Sequence, residues 1–239
     1  MQALTAPEVV RLWEQGATEP PAARSVALLA AACPDADVEA LTIGELDGRL
    51  LELWELTFGP RLDGFVECPA CAEALEFALD TTDLRSAQAA DSGTQLLTEA
   101  AWEIELRPLT GGDLAAAARA GSPSEGRRTL LERCVVAARH ERDEVEAASL
   151  PEEIVELIAE RLEASDPQAE IRISLVCPSC RHAWSALLDI GMFLWAELGG
   201  EARRVLTEVH TLASAYGWRE SDVLALGPAR RQFYLEAIG

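Results

Sequence analysis

The sequence predicts an α+β fold, mostly helical, in which two cysteine knuckles form a small antiparallel sheet around a helical insertion, with helices flanking both ends. Three observations predict it. Cys68-Pro69-Ala70-Cys71 and Cys177-Pro178-Ser179-Cys180 each stand between short alternating runs, the pattern of a strand, a tight turn and a returning strand. Most of the rest has apolar residues at helical spacing behind helix-start signals. Hydrophobic residues make up 49% of the 239, enough for a globular core.

The knuckles carry the chemistry. Leu62 to Val66 leads into the first and Ile171 to Val176 into the second. Leu75, Phe77 and Leu79 alternate after the first, as Trp184 and Ala186 do after the second. A proline behind the leading cysteine fixes φ and removes an N–H, which suits a rigid turn whose remaining amides face thiolates. Two knuckles supply four thiolates, a closed tetrahedral set, so Cys68, Cys71, Cys177 and Cys180 are the candidate ligands of one structural Zn2+ in a zinc ribbon. The 105 residues between Cys71 and Cys177, against roughly 15–20 in an ordinary ribbon, require an inserted subdomain. Three alternatives compete. C-P-x-C is also a glutaredoxin-like redox spacing, but that site needs a helix after the motif and residues 72–80 alternate. Disulfides would suit a secreted chain, and four buried unligated cysteines remain the plainest reading.

Residues 1–60 read as a helical segment. Thr5 and Glu8 make a capping box with Pro7 in the first turn; Val9, Val10, Leu12 and Trp13 follow, and Gly16 ends the helix. After the Pro20-Pro21 break, Val26, Leu28 and Leu29 mark a helix closed by Cys33-Pro34. Thr42 and Glu45 cap a third carrying Leu46, Leu50, Leu53 and Trp54, ended by Gly59-Pro60. The first knuckle takes 61–85, with a loop expected from Asp80 to Gly93. Residues 86–169 are an insertion with one strand, Trp102, Ile104 and Leu106, placed to join the ribbon sheet. Helices follow from Gly111, from near Pro123 through Leu130, Leu131, Cys134 and Val135, and from Pro151 with Ile154, Leu157, Ile158 and Leu162. The second knuckle takes 170–190. Residues 191–239 form a helical hairpin: a short helix capped by Asp189 and broken at Gly199-Gly200, a regular one from Glu201 to Tyr216 ended by Gly217, then short helices near Asp222 and from Pro228.

Acidic residues outnumber basic ones 41 to 20, a net charge of −21, so the chain repels nucleic acid and anionic lipid and favours basic partners. Its first residues lack the regions of a signal peptide, and no apolar run is long enough to span a bilayer, so a reducing cytoplasm is expected. No G-x-S-x-G and no glycine-rich phosphate loop is present. His182 could replace a ligand but reads as an exposed strand residue; His140 and His210 read as solvated. Cys33 and Cys134 read as small core residues. Trp13, Trp54 and Trp195 read as core first and as assembly hot spots second, and Arg203-Arg204 and Arg230-Arg231 as helix flanks or anchors for an acidic partner. A closed four-cysteine site has no open position for water. The chain therefore reads as a non-enzymatic binding or assembly protein.

The order of features also resembles a known family. The Thr42-Ile43-Gly44-Glu45-Leu46-Asp47 segment, Phe58-Gly59, both C-P-x-C motifs, Asp189-Ile190 and Phe193-Leu194-Trp195 follow in sequence. After them come Glu208-Val209-His210, Tyr216-Gly217-Trp218 and Arg230-Arg231 with Tyr234-Leu235. This order is similar to the contractile-phage baseplate-hub assembly chaperones, in the zinc-ribbon-bearing form found with phage-tail-like contractile injection systems. The resemblance covers most of the chain and is loosest across 85–165. It implies a cytoplasmic chaperone or adaptor without catalytic residues, whose partners are baseplate, hub or other contractile-tail proteins. The metal role falls on Cys68, Cys71, Cys177 and Cys180. A structural baseplate subunit retained in the particle and a C-P-x-C thiol-disulfide oxidoreductase are the alternatives.

Overall fold

The computed structural model describes residues 1–86, 91 and 93–238. Helix α1 (Ala6–Gly16) opens on the expected capping box, the Thr5 N–H donating to Glu8 Oε2 at 2.7 Å. Helix α2 (Pro21–Ala32) starts on proline, where the missing N–H costs nothing. Helix α3 (Ile43–Phe58) has a reciprocal cap: the Thr42 N–H donates to Glu45 Oε2 at 2.9 Å and the Glu45 N–H to Thr42 Oγ1 at 3.2 Å. Its Gly44 N–H, still free at the helix start, donates to Asp166 Oδ2 at 2.7 Å, a carboxylate from 122 residues away. Leu28, Leu29, Leu50, Leu51 and Leu53 are fully buried where these helices meet.

Strands β1 (Arg61–Glu67) and β2 (Ala74–Asp80) pair antiparallel around the first knuckle. Gly64 stands opposite Phe77, and a Cβ there would lie 2.4 Å from that ring, so the close approach requires glycine. Of the loop expected from Asp80 to Gly93, residues 81–84 form a 3-10 turn, and residues 87–90 and 92 lie outside the described residues.

The insertion is where the structure departs most from the sequence reading. In place of one strand it holds a four-stranded antiparallel sheet ordered β3-β4-β5-β6: β3 (Gln95–Glu99), β4 (Trp102–Leu106), β5 (Val135–His140) and β6 (Asp143–Glu144). This sheet does not pair with the knuckle strands. Between β4 and β5 lie helices α4 (Gly111–Ala118) and α5 (Pro123–Cys134); helix α6 (Glu152–Ser165) follows. The three expected helices are present, and it is the expectation of a single strand that is corrected, for a physical reason. Val135 passes from helix to strand in one residue with no glycine or proline between, so its apolar run reads as a continued helix. Ile104, Leu106, Cys134, Ala138, Ile154 and Ile158 make a second core, separate from that of α1–α3. Backbone bonds fasten the insertion to the α3 start: Ile43 N–H to Leu109 O at 3.3 Å and Gly111 N–H to Leu41 O at 3.0 Å. Buried Asp113 caps α4 through the Thr110 N–H and takes both Arg107 and Arg133; held by these partners against the cost of burial, its carboxyl falls to about 2.

Strands β7 (Arg172–Val176) and β8 (Ala183–Leu187) form the second knuckle hairpin. The knuckles therefore do not share one ribbon sheet, as the sequence suggested; each is its own two-stranded sheet. Leu62, Ile171 and Ile173 bury the inner hairpin faces in the core of α1–α3, so the two are joined by side chains and not by a backbone ladder.

Helix α7 (Ile190–Tyr216) runs unbroken for 27 residues, about 40 Å. The break expected at Gly199-Gly200 is absent: two interior glycines cost about 2 kcal/mol against alanine, while Leu194, Leu198, Ala202 and Val205 stay buried through the same turns. The helix ends at Gly217 in the left-handed region (φ 67°). Its second half packs Val205, Val209 and Leu212 with Val10 of α1 and Val223 of α8 (Glu220–Leu224); Tyr234 and Leu235 of α9 (Pro228–Ile238) lean on this third core.

One of the expected arginine flanks is instead interior. Arg231 is 2% exposed; its Nε donates to Glu208 Oε2 at 2.7 Å and its Nη1 to Leu226 O at 2.6 Å, while Arg204 holds the other Glu208 oxygen. Removing one partner of a buried pair strands the other charge. Arg231→Met should cost about 3 kcal/mol, read by urea denaturation, with α9 amides exchanging first. A loss under about 1 kcal/mol would show that the clamp does not hold α9.

Candidate metal centre

The two knuckles are built alike, residue for residue. In each, the leading cysteine's N–H donates to a carbonyl five residues on, Cys68 to Glu73 O and Cys177 to His182 O, both at 2.9 Å. In each, the residue after the second cysteine donates back to the first: Ala72 N–H to Cys68 O at 2.8 Å and Arg181 N–H to Cys177 O at 2.9 Å. Those two residues both take positive φ, 58° and 61°, a conformation costing a non-glycine roughly 1–2 kcal/mol. Matching strain at matching positions marks one turn used twice. It leaves amides free to point at sulfur.

The hairpins face each other through these turns. The four sulfurs of Cys68, Cys71, Cys177 and Cys180 lie within 4.8 Å of one another. Cys68 Sγ is 3.7 Å from Cys180 Sγ, and Cys71 Sγ is 3.6 Å from Cys177 Sγ, so each close pair joins the two knuckles. Both distances are far beyond the roughly 2.05 Å of a disulfide. The leading cysteines are buried and the second ones exposed, giving the cluster an inner and an outer edge. Such a set could hold a metal ion, and among the described residues it is the one group of three or more histidine, cysteine or carboxylate side chains that could.

The sulfurs compete for charge. The Cys177 thiol is brought down to about 7, first by the Cys180 amide and, against burial, by the Ser179 amide. The Cys71 thiol is pulled down by the Glu73 amide, yet ends pushed up to about 12 by the Cys180 sulfur, by burial and by the sulfurs of Cys177 and Cys68. Thiolates this close repel; a cation at their centre would remove the conflict.

The other sequence candidates lie elsewhere. His182 is exposed in the second turn, its carbonyl engaged by Cys177 and its ring stacked 5.9 Å from Trp184. His140 lies against Trp102 on the insertion sheet and His210 is exposed on α7. Cys134 is buried in the insertion core, which lifts its thiol to about 11, and Cys33 is partly buried against the main core. Trp54 is buried in that core; Trp13 and Trp195 pack against it under Arg203 and Arg24. Sequence reading missed Asp166, whose Oδ2 caps α3 while its buried Oδ1 has no hydrogen-bond partner among the described residues. Its signal, an aspartate before proline at a helix end, reads only as a stop.

No described helix is long and apolar enough to cross a membrane. A family model described as T4 bacteriophage base plate protein matches residues 15–195, from α1 through both knuckles and the whole insertion into α7. No curated protein and no solved structure matches the chain.

Proposed function

The chain belongs to the T4 bacteriophage base plate protein family, and on that premise we propose that it is a non-enzymatic assembly chaperone or adaptor for the baseplate or hub of a contractile tail, built around a structural zinc site. The observation that carries the reading is the span of the family match, which takes in both knuckles and everything between them. Cys68, Cys71, Cys177 and Cys180 are the zinc ligands. Zinc bonded to thiolates at about 2.3 Å in a tetrahedron sets its sulfurs about 3.8 Å apart; the observed 3.7 and 3.6 Å support that fit. Bound there, the ion supplies a cross-link and charge neutralisation. The protein supplies the rest: two rigid turns, amides aimed at sulfur, and four donors that leave no position for a reacting water.

Thiol-disulfide exchange is the weaker reading, because β2 and β8 follow the two motifs where a redox site needs a helix start to lower its thiol. The acidic surface favours basic partners and argues against nucleic acid and anionic membranes.

Deleting the gene should leave tails without properly formed baseplates, seen by electron microscopy of purified particles. Normal particles from the deletion strain would sink the proposal. If the deletion has its expected effect, mass spectrometry of wild-type particles separates the two forms of the reading: a chaperone is absent from them, a structural subunit present.

A further inference from the structure

Helices α5 and α6 enclose an open, mainly apolar cavity of about 410 Å³, inside the usual range of ligand sites. Ile158 forms its floor, and half-buried Leu130, Leu131, Val155 and Leu162 form its walls. Val155 and Leu162 stand seven residues apart, hence on one face of α6 about 10 Å apart. Glu156 and Glu163 repeat that spacing one residue on and line the edge. Both are exposed, and neither has an ion pair among the described residues. The cation at the rim, Arg127, is already taken by Glu152 at 3.0 Å. Arg127 also feels the charge of Glu156, so one cation faces two carboxylates there and Glu163 adds a third: the groove is an apolar strip beside a row of net negative charge.

We propose that this groove docks an amphipathic segment of a baseplate partner, one presenting an apolar row flanked by lysine or arginine. The inference rests on the assembly role proposed above and assigns it a surface. Charge selects the occupant. A second copy of this chain, at net −21, would set acid against acid, whereas a basic helix meets Glu156 and Glu163 along two turns.

The probe is a fluorescently labelled peptide of leucine and lysine, with leucine at helical spacing, titrated into the full chain and followed by anisotropy. Saturable one-to-one binding is expected. The surface variant E156K/E163K should weaken it by about tenfold or more, while E220K/E236K, an equal charge change on α8 and α9, should leave it nearly unchanged. A peptide with serine in place of leucine should bind far more weakly. No saturable binding, equal loss in both charge variants, or equal binding of the serine peptide would each overturn the groove. In cells, normal baseplates with E156K/E163K in place of wild type would reject the groove while leaving the assembly role standing; normal baseplates in the deletion strain reject the role itself.

Discussion

Replacing Cys177 with serine should abolish metal binding and lower the melting temperature by roughly 8–16 °C. An ion present at a thousand times its dissociation constant contributes about 4 kcal/mol to the folded state. For a chain of this length each kcal/mol is worth roughly 2–4 °C. Small zinc-finger peptides draw about 10–16 kcal/mol from their ion and unfold without it. Here unfolding should be partial. The helices supply most of the main core and pack in two others remote from the knuckles, so a chelator should release the amides of β1, β2, β7 and β8 to hydrogen exchange while α3 and α7 stay protected. Cys134→Ser, in the insertion core, is the matched control and should keep the metal. Equal metal content and equal melting in wild type and Cys177→Ser would remove the cluster from any structural role.

The second large effect comes from a carboxyl with no acid-base task in the proposed role. Asp47 on α3 is pushed up to about 7, first by burial and then by Asp189 and Asp166. A raised carboxyl titrates in the destabilising sense. Below about pH 4 both folded and unfolded chains carry the proton and nothing is lost. Between about 4 and 7 the unfolded chain ionises and the folded one does not, so stability falls as pH rises. Above 7 the loss is complete, about 4 kcal/mol at 1.36 kcal/mol per unit. Asp47→Asn should therefore stabilise the protein by about 4 kcal/mol at pH 8 but only about 1–2 at pH 5, measured by urea denaturation at both. A difference that stays constant with pH would mean that Asp47 does not change its charge on folding.

Much of the helical scaffold and the cysteine quartet was legible, because caps, prolines and the C-P-x-C spacing act locally. Thr42 and Glu45 start α3 whatever lies around them, and the alternation of Leu75, Phe77 and Leu79 excludes a helix behind the first knuckle. What was not legible depends on neighbours far along the chain. Val135 to Ala138 joins β4 only because Ile104, Glu105 and Leu106 wait beside it, and its small apolar residues suit helix and strand alike. Gly199 and Gly200 stay helical because packing on both sides outweighs their weak propensity. Asp166 caps a helix that begins more than a hundred residues earlier. Arg231 reads as a surface flank until Glu208 is found beneath it.

The repeated turn also sets a clock. The two knuckles are 109 positions apart, and neither holds more than half of the sulfur cluster. At roughly 5–20 residues per second, a ribosome exposes the first pair of thiols about 5–20 s before the second pair exists. The insertion must emerge within that interval, and because it has its own core and sheet it can fold first and bring its two ends together. The quartet can then close only on a chain whose middle is already made, so its closure records that synthesis has passed the second knuckle with the insertion in place.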